Sequence, residues 1–248
     1  MTRAGLQNAG LCLLLLILPV RACAQDGVAF LNGLAGGSTL TGQSMLIIAA
    51  VTVLSLAPGL AVMVTCFPFI VTVLSILRQA IGLQQLPPNM LIVSLSLFLT
   101  WFIMEPTFQQ AWTTAGKPLL DGTIDLQAAL VAGIKPFHVF MSARVDPQTL
   151  ASLAALRPET AAITSNAEAP LSLLVPAFML SEVARAFEIG FLVFLPFLII
   201  DLVVSALLMS MGMMMVPPAI VSLPFKLAFF VVADGWALIS GALVRSYF

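Results

Sequence analysis

Four long apolar stretches frame this chain, at Ser44–Leu77, Met90–Met104, Leu171–Met209 and Ala219–Val244. Between the second and third lies the only extended polar region, about Thr113–Ala169, which carries Lys117, Asp121, Asp125, Lys135, Arg144, Asp146, Arg157, Glu159 and Glu168. Repeated Ala and Leu from Leu126 to Leu156 predict short helices there, with ends marked by Pro136, Pro147 and Pro158. A shorter apolar run, Leu11–Leu18, follows Arg3 and precedes Ala22-Cys23-Ala24. That order of positive start, apolar core and small-residue site predicts a secretory signal peptide over residues 1–24, cleaved after Ala22-Cys23-Ala24. A lipid anchor on Cys23 is the alternative, and Arg21 fits it poorly.

The pattern divides the chain into a signal (1–24), a periplasmic N-terminal segment (25–43), a first apolar helical hairpin (44–110), a periplasmic helical region (111–169) and a second apolar hairpin (170–248). With the start outside, two crossings return the chain outside, which places 111–169 on that face. Lys and Arg add little to this topology, because Arg78 alone marks the first inner turn.

Plain lipid-facing spans fit these stretches badly. Met90–Met104 makes only about 22 Å of helix at 1.5 Å per residue, against a hydrocarbon layer of about 30 Å. The third stretch holds Glu182, Arg185, Glu188 and Asp201, and the fourth holds Lys226 and Asp234. Each such charge at the centre of a lipid-facing helix costs about 2.5–3.5 kcal/mol on insertion scales. Prolines 58, 68, 176, 196 and 224 add kinks whose freed carbonyls need partners. The expected fold is therefore an all-α integral membrane protein of kinked, Pro-broken helical hairpins, built for a ring-like or helical hetero-oligomer. Pro87-Pro88-Asn89-Met90 and Pro217-Pro218-Ala219-Ile220 each follow a Gly-containing turn and a Pro-bearing apolar helix. Either two related hairpins or coincidence in an apolar chain explains the likeness.

Composition agrees. Of 248 residues, 60% are hydrophobic and 8% charged, with a mean hydropathy of +1.10, whereas a soluble domain carries about a quarter charged residues. A net charge of −1 excludes the basic stripe of a nucleic-acid binder. One His and three Cys, two of them in the signal, leave no zinc constellation and no intrachain disulfide after cleavage. Ser/His/Asp arrangements and phosphate-cradling Gly loops are also lacking, so neither an enzyme nor a cofactor site is expected. Ser and Thr inside apolar helices read as backbone-bonding devices.

The densest chemistry is the turn Met211-Gly212-Met213-Met214-Met215-Val216-Pro217-Pro218. Unbranched, polarizable Met fills irregular gaps and reshapes easily. One reading is a loop tip packed on neighbouring helices. The other is a share of a soft hydrophobic ring, which excludes ions and water by dewetting yet yields to a polypeptide. Gly212, Pro217 and Pro218 would set the loop's geometry. Glu182, Arg185 and Glu188 are three apart and can partly neutralise one another. Lys226 lacks a local partner, Asp234 being about 12 Å away along a helix. Its counter-ion must come from another helix or subunit, with Glu182, Glu188 and Asp201 as candidates. Structural ion pairing, including contacts that hold adjacent subunits through Glu182 and Lys226, competes here with proton relay.

The run Pro176-Ala177-Phe178-Met179-Leu180-Ser181-Glu182, with Ala186–Phe191, Leu195–Asp201, Met209–Pro218, Leu223–Leu227 and Asp234-Gly235-Trp236, resembles the FliP family. Leu77–Gly82, Pro87-Pro88-Asn89 and Leu97–Met104 match it upstream. That family is the P-type subunit of the flagellar type III protein-export gate, with related R-type homologues in injectisomes. The resemblance implies a pore subunit passing unfolded flagellar proteins across the bacterial inner membrane within the flagellar basal body. It implies about five copies in a closed assembly with Q-type and R-type subunits, beside other export-apparatus membrane proteins and lipid. It also implies that the assembly stands largely above the membrane plane, and that the Met loop is its inner constriction. Two departures are Cys66-Phe67-Pro68, where an Arg often follows in the family, and Glu188, where Lys, Arg or Gln is common. Rival functions are a proton-coupled secondary transporter or channel, and a membrane assembly scaffold.

Overall fold

The computed structural model describes residues 61–82, 87–160, 163, 165–213 and 215–248, preceded by Ile48, Val51, Thr52, Ser55 and Gly59. The signal segment with Ala22 and Ala24, the segment 25–43 and Met214 lie outside the described residues. The chain divides into two units, Met1–Pro58 and Gly59–Phe248. In the first, the four described residues are exposed and helical.

The described residues of the second unit contain helices and no strand. They are α1 (Phe67–Ile81), α2 (Asn89–Ala111), a π-helical segment (Trp112–Gly116), α3 (Lys117–Leu120), α4 (Leu126–Arg144), α5 (Pro147–Ala154), α6 (Leu171–Ser210), α7 (Pro218–Val232) and α8 (Gly235–Arg245), with a short 3₁₀ turn at Asn166–Glu168. Helix α1 is the most enclosed. Phe69, Ile70, Val73, Leu74, Leu77, Ala80 and Ile81 are all buried, and it packs most extensively on α6, then on α2. The crossing with α6 is close because Gly190 has no side chain. A Cβ there would lie 2.4 Å from Ile76 Cδ1, so the backbones approach as small residues allow between membrane helices.

Two sequence expectations change. The helix that begins near Met90 does not stop at Met104: α2 runs on through Pro106, and helical backbone continues to Leu120, 32 residues in all. Glu105 and Pro106 lower the local hydropathy without ending the helix, since a proline removes one backbone bond. Gln109 Nε2 also donates to Glu105 Oε1 at 3.0 Å on the same face. Pro136 likewise sits inside α4 and is buried, so it marks no helix end. Pro147 does open α5.

The polar region is closed by caps. Asp125 accepts from the Ala128 N–H at 2.9 Å, and Asp146 accepts from the Thr149 N–H at 2.9 Å, each satisfying a donor that the first helical turn leaves free. At the far end of α4, Asn166 Nδ2 donates to the carbonyls of Ser142 and Val145. Met141, Val145, Leu150 and Ala154 then pack with Leu173, Leu174, Ala177 and Phe178 of α6, which joins the region to the start of α6.

Helices α6 and α7 form a hairpin. Helix α6 is 40 residues long with Pro176 and Pro196 inside it. It ends in a Schellman motif: the Met213 N–H donates to the Leu208 carbonyl at 3.0 Å and the Gly212 N–H to that of Met209 at 3.1 Å. Gly212 takes φ +75°, a left-handed conformation that costs glycine little. Pro217 and Pro218 then start α7, where fixed φ and a missing N–H suit the first helical positions. The first hairpin repeats the device, with Gly82 at φ +88° closing α1 and extended Pro88 preceding α2. Helices α7 and α8 meet at a 61° bend.

Candidate functional site

Three features carry the chemistry, and the first is a buried ionic knot. Glu182 on α6 has no exposed surface. Its Oε1 accepts from Arg144 Nε at 3.1 Å and from Arg185 Nη1 at 3.5 Å, while the Tyr247 hydroxyl donates to Oε2. Arg144 Nη1 donates to the Ser246 carbonyl at 2.7 Å. The guanidinium lies face-on over the Tyr247 ring, 4.0 Å from its centroid, and its Nη2 has no hydrogen-bond acceptor among the described residues. Phe69 meets Tyr247 edge-on and Phe140 stacks on it. One carboxylate thus joins α4, α6 and the residues after α8. Beside it, Ser181 Oγ accepts from the Asp146 N–H at 3.0 Å and donates to the Ala177 carbonyl at 2.8 Å.

The second feature pins the α6–α7 hairpin. Lys226 is buried, and its Nζ donates to Asp201 Oδ2 at 2.6 Å and to the Ala80 carbonyl at 3.2 Å. Ser222 Oγ donates to the other carboxylate oxygen, Oδ1, at 2.6 Å. The counter-ion of Lys226 is therefore Asp201, on another helix of the same chain. Glu182 and Lys226 each find their partners within the chain and in separate clusters. The remaining charges behave differently: Glu188 and Asp234 are exposed, and among the described residues neither side chain has an ion-pair or hydrogen-bond partner. Arg185 keeps 35% of its side chain exposed. Asp234 holds φ +48° before α8, a conformation that Asp tolerates better than most residues.

The third feature is the methionine turn at the hairpin's tip. Met211, Met213 and Met215 are 69%, 40% and 97% exposed. Behind the turn the two legs leave a groove of about 500 Å³, lined among the described residues by apolar side chains alone: Ile199, Ile200, Val203, Val204, Leu207, Leu208, Val221 and Phe225, with Met211 and Met213 at its mouth.

Sequence reasoning missed Arg144, Tyr247 and Ser222. Arg144 stood among nine charges of a polar region, and nothing in its neighbourhood singled it out. Tyr247 did carry a signal, as the chain's one tyrosine placed just beyond the last apolar stretch. The buried hydroxyls of Ser96 and Thr100 donate to carbonyls one helical turn back, each at 2.7 Å. No group of three or more His, Cys, Asp and Glu gathers to hold a metal among the described residues.

Three of these helices are long and apolar enough to cross a bilayer, Asn89–Leu120, Leu126–Arg144 and Leu171–Ser210, and the bent pair α7–α8 is either a fourth, broken span or a re-entrant loop. Together with satisfied charges inside an apolar exterior, they define an all-α integral membrane protein. A family model described as the FliP family matches residues 50–243. The chain is 50% identical over 235 residues to the flagellar biosynthetic protein FliP of Caulobacter vibrioides, covering 93% of this chain and 86% of that protein. It is 48% identical over 198 residues to that of Agrobacterium fabrum, covering 79% and 80%. With that of Bacillus subtilis it shares 46% over 200 residues, covering 79% and 88%. The chain belongs to the FliP family.

Proposed function

We propose that this protein is a pore subunit of the flagellar type III export gate, passing unfolded flagellar proteins across the bacterial inner membrane, with its methionine turn as one share of the seal. The observation that carries this reading is the exposure of Met211, Met213 and Met215 at a rigidly closed hairpin tip. A methionine loop serving its own fold would bury its thioethers. One that presents them outward needs copies of itself, or partner subunits, to complete an apolar ring, and a dry ring of that kind blocks ions.

In this reading several copies assemble with Q-type and R-type subunits. Glu188 and Asp234 face those neighbours, because an unpaired charge facing lipid costs about 2.5–3.5 kcal/mol, and the exposed part of Arg185 lies beside them on the chain. Glu182, Asp201 and Lys226 instead hold each subunit's own helices. Residues 111–169 stand on the periplasmic side, where α4, though long and apolar enough for a span, meets neighbouring subunits in place of lipid, and the chain acts without catalysis. Its exposed apolar surface on α2, including Met90, Phe98 and Trp101, supplies area for neighbouring helices and lipid. A proton-coupled transporter fits less well, because the buried carboxylate of Glu182 and the partly exposed one of Asp201 are already held by cationic partners.

Deleting the gene tests the assignment. Swimming and external filament protein are expected to disappear together and to return with the wild-type chain. Filaments that persist in the deletion strain reject the reading.

A further inference from the structure

We infer that the apolar groove behind the methionine turn is the space into which Met211 and Met213 withdraw when the seal opens; this rests on the seal reading above. The two side chains stand at the groove's mouth and are also 69% and 40% exposed. Each therefore borders two environments, the outward tip and the interior of its own hairpin. The groove's volume, about 500 Å³, is in the range that accepts a drug-sized ligand, so a thioether side chain enters without displacing its walls.

The movement needs no change of fold. Methionine is unbranched, with three rotatable bonds and a polarizable sulfur. Rotation of such an exposed side chain takes picoseconds to nanoseconds, far faster than a backbone rearrangement. The backbone beneath is fixed, because the Schellman bonds at Leu208 and Met209 hold the turn. The Lys226–Asp201 pair, with Ser222 on the same carboxylate, fixes the spacing of the legs at the level of the groove. The groove thus persists while the side chains at its mouth move. Its lining is apolar throughout, so a withdrawn methionine exchanges one apolar setting for another and either position is accessible. A passing polypeptide would press the thioethers inward, and their return would close the ring after it.

The competing occupant is a neighbouring subunit's side chain, seated in the groove as part of the assembly. A graded filling series separates the two. In cells with an otherwise intact export gate, Val203→Leu, Val203→Met and Val203→Phe place increasing volume in the groove from a leg position that is half exposed. Filament-protein export, the amount of assembled gate and the ion leak of the membrane are measured for each. Export is expected to fall with side-chain volume, by about tenfold at Phe, as each larger side chain takes space from the withdrawn methionines. Gate assembly and ion tightness stay at wild-type level, because the methionines remain in the sealing position. Flat export across the series overturns the proposal, and so does assembly that falls in step with export, which would assign the groove to a neighbour. A failure of the seal reading shows separately, as an ion-tight gate whose methionine turn has been shortened.

Discussion

Arg144→Ala is expected to destabilise the protein by about 3 kcal/mol, the low end of the cost of breaking a buried ion pair, because Arg185 and Tyr247 stay on the Glu182 carboxylate. The expectation follows from geometry. Glu182 has no exposed surface, and of its two cations Arg144 is the closer, at 3.1 Å against 3.5 Å for Arg185. Arg185 is also partly open to its surroundings, which weakens its hold. Removing Arg144 also frees the Ser246 carbonyl and strips the cation from the Tyr247 ring, so α4 and the residues after α8 loosen together. Tyr247→Phe removes one donor to a charged acceptor and should cost less, about 1.5–3 kcal/mol. The double variant Arg144→Ala/Glu182→Leu should recover much of the loss, because no buried charge then remains unpaired. Unfolding of the purified protein in detergent reads all three. If Arg144→Ala melts like wild type, the knot does not hold the fold.

Shortening the methionine turn is expected to open the assembled gate to ions. Removing Met213 to Met215 withdraws thioethers from the tip while leaving the Asp201–Lys226 pin in place, so assembly should survive and the seal should not. Membranes holding the variant gate should pass small ions, whereas those holding wild type stay tight. The mechanism is specific: a dry apolar constriction blocks ions through the cost of wetting it, and a wider or more polar ring loses that barrier. A serine at each methionine position should leak as well, with the loop's length unchanged. If both variants assemble and remain ion-tight, the turn is not the barrier.

Sequence and structure agree where local chemistry sets the outcome. Gly212 and the Pro217-Pro218 pair announce a turn, and the structure closes it with the bonds such residues permit. The Glu182–Arg185 pair follows from helical spacing. The stronger contacts of Glu182 do not, because Arg144 lies 38 residues before it and Tyr247 65 after. Only folding brings those groups together, and no pattern along the chain marks them as partners. Lys226 shows the intermediate case. Its lack of a local partner was legible and required a distant acid, yet the choice of Asp201 among three candidates depended on how α6 and α7 pack. The reach of α2 was obscured for another reason. Hydropathy falls at Glu105 and Pro106, but backbone hydrogen bonding continues past them.

The central claim, that the methionine turn faces the path of exported protein, is tested most directly by crosslinking. A photo-reactive residue placed at Met213 in an otherwise intact gate is combined with an export substrate stalled part-way by a folded domain. A covalent adduct between turn and substrate is expected, and none from the same probe at Glu159, in the polar region. A stalled substrate that fails to crosslink at Met213, in gates that still export, contradicts the account.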